Sequence, residues 1–361
     1  MSNHAARRAV LRPLIAESGV EGLLVTNLLN IRYLTGFTGS NAALIVAASD
    51  GDSAEDESVF CTDGRYVTQA AAQVPDLRTV TDRASAVALV AAASGRLGFE
   101  AGHLTVAEHT QLVDLDSAEL VATTGLVEQL RAVKDPDEIE ALRQACTIAD
   151  DAFAGLIAAG GIRAGRTERE VGLDLDDRMR RGGAEDPAFE TIVAAGAHSA
   201  IPHHRPTGSV LERGDLVKLD FGARFAGYHS DMTRTVVLGP PQDWQREIYD
   251  VVRAAQTAAE ELVRPGTTGQ LLDQAARRVV TDAGYGDRFL HGLGHGIGLE
   301  IHEGPAVAGA ATGTIKADMV LTVEPGVYLE GRGGVRIEDS GVVRTSGYEV
   351  LTLTAKNLLV L

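Results

Sequence analysis

A chain of 361 residues exceeds what one hydrophobic core usually serves, so two domains are expected, one of them large. Its composition, 45% hydrophobic and 23% charged with 40 glycines, is that of a folded enzyme and excludes a disordered chain. A formal net charge of −17 argues against a protein that wraps nucleic acid or lies on anionic lipid, because both tasks need a basic face.

Residues 1–20 carry Arg7, Arg8 and Arg12 among alanines but no apolar stretch of signal-peptide length, so a cytoplasmic location is expected. From residue 22 to about 130, short apolar runs alternate with helical patterns. Strands are expected at 22–26, 41–47, 58–62 and 96–100, and helices at 66–73, 84–93 and 107–113. Such alternation implies an α/β layer domain. The 84–93 run is the best candidate for a membrane span and is far too short for one. The acidic run at 50–57 reads as a solvated hairpin loop. Cys61 and Cys146 have no CxxC pattern or nearby histidine, which fits reduced thiols packed as small hydrophobes.

Near Lys134 the chain changes character. Asp135 and Pro136, followed by Asp137, Glu138 and the periodic series Ile139, Leu142, Ala145, Ile148, Ala149 and Ala152, signal a capped helix start. The domain boundary is therefore expected here, dividing the chain into 1–132 and 133–361. Further helices are expected at 168–181 and 244–263, the latter stopped by Pro265-Gly266.

All residues that look chemical fall in the second half. Residues 216–222 and 227–235 read as a strand, a turn and a returning strand bearing Asp220 and Asp231, ten residues apart. A two-residue turn with four residues on each side would set the two carboxylates directly across the ladder. Glu324 and Glu338 flank the Gly331-Arg332-Gly333-Gly334 turn, and a three-residue turn would set these opposite each other too. Arg336, two residues before Glu338, would share its face and could orient a carboxylate. Between the hairpins lie His291, His295 and His302, interleaved with glycines that let a backbone approach a crowded centre.

Each piece alone has a plainer reading as a cap, a turn or a strand end. Together, with apolar neighbours such as Leu219, Val323 and Ile337, they would force uncompensated acids into low dielectric. Coordination of divalent cations neutralises them. Four carboxylates and an imidazole form a hard, oxygen-rich set suited to Mn²⁺, Co²⁺, Fe²⁺ or Zn²⁺ in a two-metal site, which activates water and polarises a carbonyl.

The order Asp220, Asp231, His295, Glu324, Glu338 resembles the pita-bread metallopeptidases of family M24, specifically the Xaa-Pro peptidase branch. The sequence at 30–40 and Thr62-Asp63-Gly64-Arg65-Tyr66 are similar to the creatinase-type N-terminal domain of that branch. The resemblance implies an α/β creatinase-like domain followed by an α+β pita-bread catalytic domain. It implies two divalent ions, Mn²⁺ first among them, with Asp220 on one ion, Asp231 and Glu338 bridging, and His295 and Glu324 completing the other shell. Glu324 would also shuttle a proton to the leaving proline nitrogen. By the same resemblance His203, 17 residues before Asp220 and preferred to His204 on that spacing, and His302 would stabilise the reacting carbonyl. His291 and Arg336 are expected to contact substrate, with His291 lining a proline pocket.

Proline-containing peptides are the implied substrates, a homodimer is the implied assembly, and no nucleic-acid or membrane partner is expected. Within the branch, dipeptidases must hold the free carboxylate of a C-terminal proline, a task that favours a cation. Ala306 follows Pro305 where some microbial dipeptidases carry an arginine, so an Xaa-Pro aminopeptidase is expected, with the Xaa-Pro dipeptidase (prolidase) as the alternative. A creatinase-like amidinohydrolase does not need all five ligands. A metal-free pita-bread binding module would lose ligands first.

Overall fold

The computed structural model describes residues 3–49 and 57–361, and the chain divides into two compact units, Met1–Arg131 and Ala132–Leu361. Except for Glu57, the acidic run expected as a hairpin loop lies outside the described residues.

The first unit is organised on a six-stranded sheet in the order Arg78–Thr81, Val59–Thr62, Ala42–Ala47, Gly22–Val25, Arg96–Glu100, Glu119–Thr123. Gly22–Val25 pairs parallel with Arg96–Glu100 and antiparallel with Ala42–Ala47. Its residues are buried along the whole strand, as expected when both faces of a sheet are covered. The expected strands are present, trimmed by a residue in three cases, and the expected helices are Val67–Gln73, Ser85–Ala91 and Val106–Val113. Unforeseen are the helices Asn3–Glu17, Leu28–Thr35 and Leu126–Ala132 and the two edge strands. Arg78–Thr81 is solvent-facing along nearly its whole length, so it carries no apolar alternation to read.

The second unit repeats one plan twice. Helices Pro136–Ala158 and Glu168–Arg181 pack over a four-stranded sheet that includes Ile192–Ala195, Leu216–Phe221 and Met232–Val237. Helices Asp243–Glu260 and Gly269–Asp282 pack over a five-stranded sheet that includes Gly294–Gly296, Val320–Val323 and Asp339–Arg344. The first helix starts as its sequence dictates, with the Asp135 side chain accepting from the Asp137 and Glu138 amides and Glu138 returning a bond to the Asp135 amide. Gly269–Asp282 was not foreseen, although Leu272, Ala276 and Val280 recur at helical spacing behind the Thr268 cap.

Alternation on the strands sets the site. Val217, Leu219 and Phe221 enter the core beneath the first helix pair, so Lys218 and Asp220 project from the opposite face. On the second sheet Leu321 and Val323 enter the other core, which turns Glu324 outward on the next step of the period. Cys61 and Cys146 are buried free thiols. Among the described residues no helix is long and apolar enough to cross a membrane.

Candidate metal centre

The two acidic hairpins obey different registers. In the first, Ala226 and Gly227 form the turn, both at positive φ (49° and 81°), as a type I′ hairpin turn requires. The ladder then pairs Asp220 with Thr233. Asp231 lies two residues further, so the carboxylates are diagonal neighbours on one face and not directly opposed as expected. The turn is displaced towards Asp231 because Phe225 pairs with Tyr228 and leaves only two residues between them.

In the second hairpin Val323 pairs with Asp339 and Gly326 with Arg336, one unbroken alignment that sets Glu324 against Glu338 as expected. The ladder itself lapses at Pro325, which has no N–H to donate. His295 arrives on Gly294–Gly296, between two strands. A Cβ at Gly294 would lie 2.2 Å from the Thr322 carbonyl oxygen, and one at Gly296 would lie 2.0 Å from that of Gly304. Only glycine on both sides lets the histidine strand lie this close.

These elements gather Asp220, Asp231, His295, Glu324 and Glu338 at one cleft of about 440 Å³, which His203, His291, His302 and Arg336 also line. Ligand atoms of Asp231, His295 and Glu338 lie within 4.8 Å of one another. His295 Nε2 is 3.5 Å from Asp231 Oδ2 and 3.6 Å from Glu324 Oε1. Its Nδ1–H donates to the Gly296 carbonyl at 3.0 Å, which leaves the Nε2 lone pair facing the carboxylates.

Electrostatics at the centre favours a cation. Asp220 Oδ1, Asp231 Oδ1 and Glu338 Oε1 are buried oxygens without a hydrogen-bond partner. Burial, then the charges of Glu338, Asp220 and Glu324, push the Asp231 carboxyl well above the usual range. Burial and Glu338 do the same to Glu324, while burial and Asp220 push Glu338 up to about 8. Burial pushes His295 down to about 4, so its imidazole is neutral. Such acids ionise together only with cations among them, and a neutral imidazole with carboxylates is a donor set for hard divalent ions. The residues present fit the metal pair that their order implies.

A polar shell unseen in the sequence orients this set. Thr233 donates to Glu338 Oε2 at 2.7 Å and accepts from Arg336 Nε at 3.0 Å. Arg336 also donates to Asp220 Oδ2, to the Tyr328 hydroxyl at 2.9 Å and to the Pro202 carbonyl at 3.1 Å. His291 donates from Nδ1 to the Gly292 carbonyl and accepts at Nε2 from Tyr328, each at 2.8 Å. Burial, then Arg336, pushes His291 down to about 3 and keeps it neutral. His291, Tyr328, Arg336 and Asp220 thus form one hydrogen-bonded line. Arg336 and His291, expected to touch substrate, spend these bonds on protein groups.

His203 and His302 are exposed at the cleft, with the His302 ring edge-on to that of His295 at 4.3 Å between centroids. Each is followed by a residue anchored in the protein. His204, 8% exposed, donates to Glu168 Oε2 at 2.9 Å and stacks on His198. Against the upward push of burial, bonds from the Ala195 amide, His204 and Thr207 hold the Glu168 carboxyl down at about 2. Glu303, after His302, pairs with the buried ammonium of Lys134 at 2.7 Å.

A family model described as "Metallopeptidase family M24" matches residues 140–345, more than half of the chain. The chain belongs to metallopeptidase family M24. A second model, "Creatinase/Prolidase N-terminal domain", matches residues 7–133, so the two-domain expectation of a creatinase-type domain and a pita-bread catalytic domain holds. The M24 chain is 46% identical over 234 residues to an Xaa-Pro dipeptidase of Pyrococcus furiosus, covering 65% of this chain and 67% of the relative. Its fold superposes on the solved Xaa-Pro dipeptidase of Bacillus anthracis with a TM-score of 0.94 at 39% identity, covering 99% of this chain and 100% of that one. An X-Pro aminopeptidase of Thermotoga maritima gives a TM-score of 0.87 at 35% identity, covering 95% and 98%.

Proposed function

We propose that this M24 peptidase is an Xaa-Pro dipeptidase, hydrolysing dipeptides that end in proline. The observation that carries the reading is the whole-length likeness to the Bacillus anthracis Xaa-Pro dipeptidase. The expectation of an aminopeptidase rested on Ala306, yet Ala306 does not line the cleft. Arg332, the other candidate for a carboxylate, stacks on Trp244 at 4.2 Å and does not line it either. Arg205 does line it, exposed and paired with the exposed Glu190 at 3.0 Å. A substrate carboxylate can displace such a partner at little cost.

Asp220, Asp231, His295, Glu324 and Glu338 would hold two divalent ions, Mn²⁺ first, with Co²⁺ or Zn²⁺ also compatible with the donors. Held there, such ions activate water and polarise the scissile carbonyl. The bond to proline is a tertiary amide, and its nitrogen must gain a proton to leave as a secondary amine. Glu324, a carboxyl lining the cleft beside His295, is the group for that transfer. His203 and His302 donate to the negative charge developing on the carbonyl oxygen. Arg336, drawn on by Asp220, Thr233 and Tyr328, serves by orienting Asp220.

A second reading, the Xaa-Pro aminopeptidase, is favoured by the Thermotoga maritima likeness. Hydrolysis of an Xaa-Pro dipeptide beside an Xaa-Pro-Xaa tripeptide, after Mn²⁺ is restored to stripped protein, separates the two. We expect the dipeptide to be cleaved in preference, and Arg205→Ala to raise its KM by about 10–100-fold with little change in kcat, as loss of a charged hydrogen bond made equally in the ground and transition states predicts. Cleavage of the tripeptide alone would establish the aminopeptidase. Inertness towards both across several metals would return a binding module to consideration.

A further inference from the structure

Lys218 lies two residues before Asp220 on the Leu216–Phe221 strand and projects from the same face. Its relative exposure is 0%. A buried ammonium is costly unless its hydrogens find acceptors. Here Nζ donates to the Ile201 carbonyl at 2.6 Å and to the Pro202 carbonyl at 3.1 Å, and it sits 5.1 Å from the centroid of the Tyr328 ring. Two Nζ hydrogens are thus spent on two successive backbone carbonyls, and the next residue is His203. Pro202 also accepts from Arg336.

The Ile201 amide donates to the His198 carbonyl at 2.9 Å. Ile201 is 47% exposed, His203 is exposed, and residues 201–203 belong to no helix or strand. On the far side His204 is tied to Glu168. His203 therefore projects from a short arch in which Lys218 bonds both carbonyls before it and Glu168 holds the residue after it.

We propose that Lys218 is a positioning residue: by capping the Ile201 and Pro202 carbonyls it fixes the direction in which His203 enters the cleft. The proposal rests on the role given to His203 under the proposed function. A displacement of about 1 Å in such a group can cost on the order of 100-fold in rate. Lys218→Met keeps the chain length but removes the Lys218 donor from both carbonyls, leaving Pro202 with Arg336 alone.

In the Mn²⁺-loaded full-length enzyme, Lys218→Met should lower kcat by about 10–100-fold with KM and bound metal unchanged, the cost typical of a lost outer-shell contact. In a His203→Ala background the same substitution should have almost no further effect, because the two act through one group. Lys218→Arg, which keeps a hydrogen-bond donor in reach of the carbonyls, should recover part of the loss. If Lys218→Met does not fold, the cycle is run with Lys218→Gln. Losses that multiply in the double variant, or a variant that loses metal, would overturn the proposal.

A readout independent of turnover separates this inference from the peptidase reading. In protein labelled with ¹³C at the histidine rings, the His203 Cε1 signal, assigned by its absence in His203→Ala, should shift or broaden in Lys218→Met while that of His302 stays. An inert enzyme with a shifted His203 signal would sink the peptidase reading alone. An unmoved His203 signal would sink the positioning role, whatever the enzyme hydrolyses.

Discussion

The two acidic hairpins deliver carboxylates to one cleft, but the first sets them on a diagonal and the second sets them face to face. The cause lies in the turns. Ala226 and Gly227 close the first hairpin off-centre, so Thr233 takes the position opposite Asp220. The second closes symmetrically about Gly331, and a lapse in the ladder at Pro325 leaves Glu324 and Glu338 facing each other outside the strand bonds. A shared face is what the two-residue period guarantees, and direct opposition depends on the turn. In the diagonal hairpin the position opposite Asp220 is occupied by a hydroxyl that bonds to the other hairpin's glutamate.

Breaking the facing pair should have the largest effect. Glu338→Gln should lower metal occupancy, read by elemental analysis, and reduce kcat by more than the roughly 100-fold that loss of an outer-shell contact costs. Full occupancy with near-normal turnover would remove Glu338 from the ligand set.

Changing the residue opposite Asp220 in the diagonal hairpin should cost less. Thr233→Val keeps the shape but removes the donor to Glu338 and the acceptor of Arg336. Metal affinity should weaken by roughly 10–100-fold, measured by competition with a chelator. An affinity within twofold of the parent would mean that the two hairpins hold their carboxylates independently.

The smallest effect sharpens the comparison, because the second hairpin leans, through Tyr328, on the neutral imidazole of His291. His291 is held down at about 3, against an ordinary value of 6.5. Between those values the unfolded chain binds a proton that the folded one refuses. The stabilisation is therefore complete above pH 6.5 and drains away as the pH falls towards 3, by at most about 1.4 kcal/mol per pH unit. Urea unfolding of metal-free protein should show a flatter profile between pH 6.5 and 4 for His291→Gln, which does not titrate and can still accept from Tyr328. Parallel profiles for the two proteins would contradict this assignment.

What the sequence made legible follows the range of the interactions. The helix Pro136–Ala158 was readable because Asp135, Pro136 and Glu138 are neighbours that cap one another. The register of the second hairpin was readable because its glutamates are symmetric about the glycine turn. That of the first was not, since the pairing of Phe225 with Tyr228, and not the midpoint between the aspartates, fixes the turn. Thr233, Tyr328 and Lys218 gave no local sign of their roles. Thr233 meets Glu338 across 105 residues of sequence, a contact that exists only once both sheets have formed.

The anchors beside the cleft histidines have a consequence for the order in which freedom is lost. Glu168 holds the residue after His203, and Lys134 holds the residue after His302. The backbone entropy of both segments is surrendered when the chain folds, so an arriving peptide has only side-chain rotations left to restrict. Two otherwise exposed segments thereby meet each new peptide with their main chains already in place.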